Sequence, residues 1–176
     1  MAGDPKTTGL NFYRPKWRVV ALLFLAPVAY EVWWYWQLFT FTGREGFPRA
    51  RQFWWILVPI YGWVVLFRQF DDLARETPRG REEFNSSTAI WLVVLSWFAG
   101  NLSWRIHDAY ASLGAFIVSG VLIAAVGALV QPGAIAYLAA KYPEAQPSGM
   151  TWGEVTAAAL GIVLFALVLL ATFVWS

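Results

Sequence analysis

The chain has 176 residues, of which 59% are hydrophobic, 18% aromatic and only 14% charged, with a formal net charge of +2. A soluble domain carries about 25% charged and about 45–50% apolar residues, so the composition excludes an ordinary soluble domain and points to a small integral membrane protein. The absence of cysteine excludes disulfides, thiolate metal sites and thiol catalysis, and basic residues scattered over the connections leave no nucleic-acid footprint.

In chain order, residues 1–16 mix Gly, Pro, Thr and scattered charge and are expected to be flexible, leaving 17–176 as one transmembrane helical domain. Five apolar stretches follow, at residues 19–41, 53–67, 88–104, 111–130 and 155–175. A spanning helix needs about 20 mostly apolar residues, with about 17 as the lower limit. The first, fourth and fifth meet that length, the third is borderline and the second is short. The expected fold is an all-α bundle of about five transmembrane helices, or four if 53–67 lies at the interface. Helices are required because each backbone N–H and C=O inside hydrocarbon must be satisfied within its segment. The alternating ten-residue strands of a β-barrel are missing. Residues 19–29 behind their basic lead suggest a signal peptide, but the apolar run continues into an aromatic block and Pro27 suits cleavage poorly, so retention is expected.

Sidedness is set by Lys and Arg. With five spans, Lys6, Arg14, Lys16, Arg18, Arg68, Arg75, Arg79, Arg81 and Lys141 share one side, against Arg44, Arg49, Arg51 and Arg105 on the other. That predicts a cytoplasmic N-terminus. The balance inverts if 53–67 does not span. The long connection 68–87 reads as a solvated charged loop. A proline is followed ten residues on by a glutamine twice, Pro27 to Gln37 and Pro59 to Gln69. Either a helix is duplicated, or both residues simply mark helix ends.

Few polar groups fall within the apolar stretches. Glu31 lies near the middle of the first, where a charge costs about 2.5–3.5 kcal/mol on insertion scales. It is either a proton- or cation-binding carboxylate or a neutral acid bonded to a neighbouring helix, with Asn101 or Arg105 as candidate partners. Asn101 and Gln131 are candidate lining groups. Arg105, His107 and Asp108 form an interfacial turn. His107 is the single histidine. It could titrate near neutrality or ligate haem iron or a pigment, or simply sit wet at the interface. No cofactor is expected otherwise, and no metal site, since such sites usually need three or four N or S ligands. No catalytic residue is identified.

Small residues recur every four positions as Gly120, Ala124 and Ala128, and again as Gly153, Ala157 and Gly161. Such stripes let membrane helices approach closely. They are expected to pack the fourth stretch on the fifth, or to meet a protein partner or a second copy of the chain. Pro132 is expected to break or kink the fourth helix. Thr151 and Glu154 have capping-box spacing. Trp33, Trp34, Tyr35 and Trp36, with Trp54 and Trp55, read as an aromatic belt at the bilayer surface.

The segment from Tyr30 through Glu31, Trp33, Trp34, Tyr35, Trp36, Gln37 and Leu38, then Pro59, Ile60 and Tyr61, then Arg68, Gln69 and Phe70, resembles a group of small bacterial multi-pass membrane proteins of unknown function. In those, a YWFY-like motif ends helix 1. The last third is similar too, from Val130, Gln131 and Pro132 to Glu154 and Gly161. The chain departs where Gln37 replaces a basic residue and where Ala136 and Tyr137 replace an Asn-containing pair. The resemblance implies a bacterial inner-membrane address and carries no activity. Two functions remain in view, an accessory or assembly subunit working through helix contacts and a small transporter or cation pathway using Glu31.

Overall fold

The computed structural model describes residues 12–58, 60–78 and 85–174, except the side chains of Thr172 and Phe173. Among the described residues six α-helices and one 3₁₀ turn make up the regular structure, with no strand. The helices are α1 (Lys16–Leu25), α2 (Ala29–Arg44), α3 (Tyr61–Glu76), α4 (Ser86–Ser103), α5 (Ala109–Lys141) and α6 (Trp152–Val174), and the 3₁₀ turn, Phe53–Leu57, precedes α3. Side-chain caps start the last three. Asn85 accepts from the Ser87 and Thr88 amides, Asp108 from Ala111, and Thr151 from Glu154.

The first apolar stretch is not one span. It breaks at Ala26–Val28, and the chain turns back on itself. Phe12, just before α1, stacks on Phe41 near the end of α2 with ring centroids 5.2 Å apart. In one continuous helix, 29 residues at 1.5 Å each would separate them by roughly 44 Å. The turn is tight. Val28 has φ 69° and ψ −71°, and the Ala29 amide donates to the Pro27 carbonyl at 2.9 Å, which makes the rare positive-φ γ-turn.

The second stretch does the same. The 3₁₀ turn runs down α2, with Phe53 against Trp36 and Phe39. The chain reverses at Ile60, whose φ is 63° and ψ −52°, and α3 returns. A Cβ on Gly62 would collide with the Ile56 backbone carbonyl, so glycine is what lets this second hairpin close. The two Pro-containing repeats thus share a physical outcome. In each, the β-branched residue after proline takes a positive φ and ends an inward run; among the described residues these are the only non-glycine positions with positive φ.

The connection expected as a charged loop is helical as far as Glu76. Val65, Leu66, Gln69, Phe70, Leu73 and Ala74 are buried along it, which is the i, i+4 stripe of an amphipathic helix. Charge ended the apolar run in the sequence without ending the helix. Pro132 does not break α5, which continues for 33 residues through it. Neighbours hold the polar groups on either side, since Thr77 donates to the Gly133 carbonyl at 3.2 Å and Gln131 is bonded on both its amide atoms.

One end of the molecule gathers the chain ends of both hairpins. There Glu45 meets Tyr137, Lys141 and Tyr142, Arg49 meets Asp71 and Asp72, and Arg18 meets the Ser148 carbonyl. We call this the basic end. From it α4 runs to the opposite end, α5 returns antiparallel to α4, and α6 runs away again. Ser96 pairs with Ser119 across α4 and α5, and Ser112 with the Ser103 carbonyl nearer the far end.

The small-residue stripes pack elsewhere than expected. A Cβ on Gly120 would touch Phe24, and one on Gly153 would stand 3.0 Å from the Trp33 indole nitrogen. A Cβ on Gly161 would lie 2.5 Å from the Ala26 Cβ and 2.7 Å from the Ala26 carbonyl oxygen. Ala124 and Ala157 are buried and Ala128 half-buried. The first hairpin, rather than the α5–α6 pair, therefore uses these glycines, because its bent backbone is what must be approached closely. The aromatic block is also redistributed. Trp34 and Tyr35 are in the core, while Trp36, Trp54 and Trp55 stay exposed. Among the described residues two helices are long and apolar enough to cross a membrane, α5 over its whole length and α6 over Trp152–Ala171.

Candidate functional site

Adjacent residues of α2 point into two different polar environments. Tyr30 and Trp34 face a closed cluster. The Glu154 carboxylate, fully buried, accepts from Arg14 Nε at 3.0 Å and from the Tyr30 hydroxyl at 3.1 Å, and Arg18 Nε lies 3.3 Å away. The Arg14 guanidinium also lies over the Trp33 ring, 4.6 Å from its centroid. Gln131 completes the cluster. Its amide nitrogen donates to the Phe12 and Arg14 carbonyls at 3.1 Å each, and its oxygen accepts from Trp34 at 3.4 Å. Residues 1–11 of the segment expected to be flexible lie outside the described residues, but Phe12 and Arg14 are buried and tied down in this way.

Glu31 and Tyr35, one turn apart, face a cavity of about 560 Å³. Its walls come from both hairpin tips, with Pro27 and Val28 from the first and Ile56, Leu57, Val58 and Ile60 from the second. Trp63 of α3, Ser96, Trp97 and Asn101 of α4, Trp104 beyond it, and Phe116 and Ser119 of α5 close the rest. No described residue forms a salt bridge with Glu31. The Tyr35 hydroxyl, 4% exposed as a residue, interacts with the Glu31 carboxyl but closes no hydrogen bond of ordinary length. Ser96 and Ser119 spend their hydroxyls on each other and on each other's carbonyls. Glu31 is thus the cavity's one ionisable carboxyl, and it has no countercharge there.

Of the sequence-derived candidates, Glu31 and Asn101 share this cavity. Asn101 donates back to the Trp97 carbonyl at 2.9 Å. Gln131 is absent from the lining and serves the closed cluster. Arg105 and His107 are exposed at the far end, Arg105 is not in the cavity wall, and Asp108 is spent capping α5. Sequence reasoning missed the pairing of Glu154 with Arg14 and Arg18. The capping-box spacing was visible, but here the carboxylate turns inward to the arginines and only the Thr151 half of the box forms.

A second carboxylate group sits at the basic end, where Arg49 bridges Asp71 and Asp72 and Arg75 reaches Asp71 at 3.0 Å. Burial pushes the Asp71 carboxyl up, but the bonds from Arg49 and Arg75 outweigh it and hold it below the usual carboxylate range. These contacts are matched charge for charge and brace the second hairpin. Among the described residues no group of three His, Asp or Glu stands where it could hold a metal ion.

Compared with known protein families, curated proteins and solved structures, the chain matches none.

Proposed function

We propose that this is a multi-pass inner-membrane protein in which Glu31 binds and releases a proton or cation, making the cavity part of a small transport pathway. The observation that carries this is the half-buried Glu31 carboxyl, without a countercharge, in a cavity where two broken, re-entrant segments meet. Broken helices at membrane depth are tolerated where they are buried in protein or line a cavity, and an ionisable residue there marks a pathway by default.

The membrane setting rests on an inverted distribution of polarity. Arg14, Glu154, Asp72, Gln69 and Gln131 are buried, while Trp91, Leu95, Phe98, Leu102, Leu160, Val163, Leu167 and Leu170 are exposed. Water would favour the reverse. On this reading α4, with no charged residue in its 18 positions, spans beside α5 and α6, and the two hairpins enter and leave from one face. The re-entry also changes the charge count. Arg44, Arg49 and Arg51 join Arg14, Lys16, Arg18, Arg68, Arg75 and Lys141 at the basic end, and only Arg105 of the described Lys and Arg residues lies at the far end. By the positive-inside rule this charge distribution supports a reading in which the basic end, and with it Phe12, faces the cytoplasm.

The accessory-subunit reading drew on the glycine stripes. Those glycines are occupied within the chain, which shifts the weight to the cavity and to a non-enzymatic transport role. The test is ion flux in proteoliposomes loaded with a pH-sensitive dye. Glu31→Gln should abolish the protein-dependent flux and leave the chain monodisperse in detergent. Equal flux in the variant would overturn the proposal.

A further inference from the structure

The shape and chemistry of the cavity narrow the class of cation. A bare proton needs almost none of its 560 Å³. A calcium or magnesium ion draws about six to eight oxygen ligands, whereas the walls offer one carboxyl, the phenol that interacts with it, the Asn101 amide oxygen and two serines already bonded to each other. What the walls supply in quantity is aromatic surface. Trp63 and Trp97 meet edge to face at 5.5 Å, and Trp104 and Phe116 stand beyond them.

Such a space, within the 300–1,000 Å³ range of small-molecule sites and mostly apolar with a few placed polar groups, suits a bulky organic ligand. Its charge is fixed by Glu31. A second space of about 470 Å³ continues towards the far end. It shares Pro27, Val28, Trp104 and Phe116 with the first, and the rest of its wall is largely Leu, Val, Ala and Phe of α5 and α6. The first hairpin's tip therefore stands between a greasy vestibule and the carboxyl.

We propose that the cavity binds a lipophilic monovalent organic cation, an ammonium or phosphonium with apolar substituents, with its charge on Glu31 and its body against Trp63, Trp97 and Trp104. The proposal rests on the transport reading above and names its substrate class. Aromatic faces attract such cations, each by about 0.5–2 kcal/mol. The ionisable groups facing the site are Glu31 and Tyr35, both from α2. The lining residues of the second hairpin, α3, α4 and α5 carry none. Cation and proton then compete for one carboxylate, so binding weakens as the pH falls and Glu31 takes up a proton.

The probe is tetraphenylphosphonium, titrated calorimetrically into the full chain in mild detergent. The expected result is saturable binding of one cation per chain. Glu31→Gln should weaken it at least tenfold and remove its pH dependence, and Glu31→Asp should retain part of both. Trp63→Ala and Trp97→Ala should each cost roughly two- to thirty-fold, the fold-change equivalent of one cation–aromatic contact. Neutral triphenylphosphine oxide should not compete. Binding that is indifferent to Glu31→Gln, or that the neutral compound displaces equally, overturns the proposal and identifies the space as a site for apolar chains. Glu31-dependent proton flux without phosphonium binding overturns it while leaving the transport reading intact, and loss of both removes the two together.

Discussion

Two carboxylates, the buried Glu154 and the half-buried Glu31, are handled in opposite ways. Glu154 is surrounded by Arg14, Arg18 and Tyr30 with every contact at 3.0–3.3 Å. Glu31 faces a cavity with a phenol and no cation. Tyr30 and Glu31 are consecutive, and the 100° step of the helix sends one to each centre. A buried charge is expensive unless paired and hydrogen-bonded. The first centre meets that condition for the Glu154 carboxylate, while the two terminal nitrogens of Arg14 are buried without hydrogen-bond partners, and it ties the N-terminal segment, α1, α2 and α6 together. The second leaves it to be met from outside, which is the difference between a structural charge and an available one.

Removing each carboxylate is the most direct way to break that contrast. Glu154→Ala strands two arginines and a tyrosine, and losing one partner of a buried pair costs about 3–5 kcal/mol. Most of the folded yield should disappear, and what survives should unfold at clearly lower temperature in detergent. Glu31→Gln removes a charge that has no partner, so stability should stay the same or rise while flux and phosphonium binding go. If the two variants were equally damaging to folding, Glu31 would be a second structural centre and the contrast would collapse.

The next effect concerns what keeps the first hairpin bent. Gly161→Ala sets a methyl against the Ala26 carbonyl, where neither backbone can yield easily, and overpacking of this kind costs about 1–3 kcal/mol. Gly114→Ala is the matched control. Nothing lies within 4 Å of that position, and alanine is the better helix former, so thermal unfolding should be unchanged or slightly later. Equal behaviour of the two would mean that α6 does not hold the hairpin.

Much of this fold was visible in composition, and the decisive part was not. All-helical structure, Glu31 as the isolated acid and Thr151 as a cap could be read from residue type and spacing. Reversal at Pro27 could not, because a proline within an apolar run signals a kink as readily as a hairpin. Contacts across the turn, such as the stacking of Phe12 on Phe41, separate the two. The same ambiguity bears on the proposed sidedness. Arg44, Arg49 and Arg51 weakened the charge count as long as the stretch before them was assumed to cross, and they reinforce it once that stretch turns back. In α3 the charges at Asp71, Asp72 and Arg75 masked a helix whose buried stripe runs on through Phe70 and Leu73. Gln131 looked like cavity lining by type, yet its surroundings depend on the N-terminal segment folding back over α5, a contact spanning more than a hundred residues.

The smallest expected effect tests whether the open centre carries stored strain. Val28 and Ile60 sit at φ 69° and 63°, where a β-branched residue pays about 1–3 kcal/mol. Neither is there for burial, since they are 55% and 72% exposed. Glycine takes this backbone without strain but gives back about 0.5–1 kcal/mol through a freer unfolded chain. Val28→Gly and Ile60→Gly should therefore each stabilise the protein by about 1 kcal/mol, read as a small rise in unfolding temperature. The same change frees the tip that separates the apolar vestibule from Glu31, so phosphonium affinity should fall as stability rises. A glycine variant that gains both would show that the strain serves neither folding nor binding, and the two hairpin tips would then lose their part in distinguishing the open centre from the closed one.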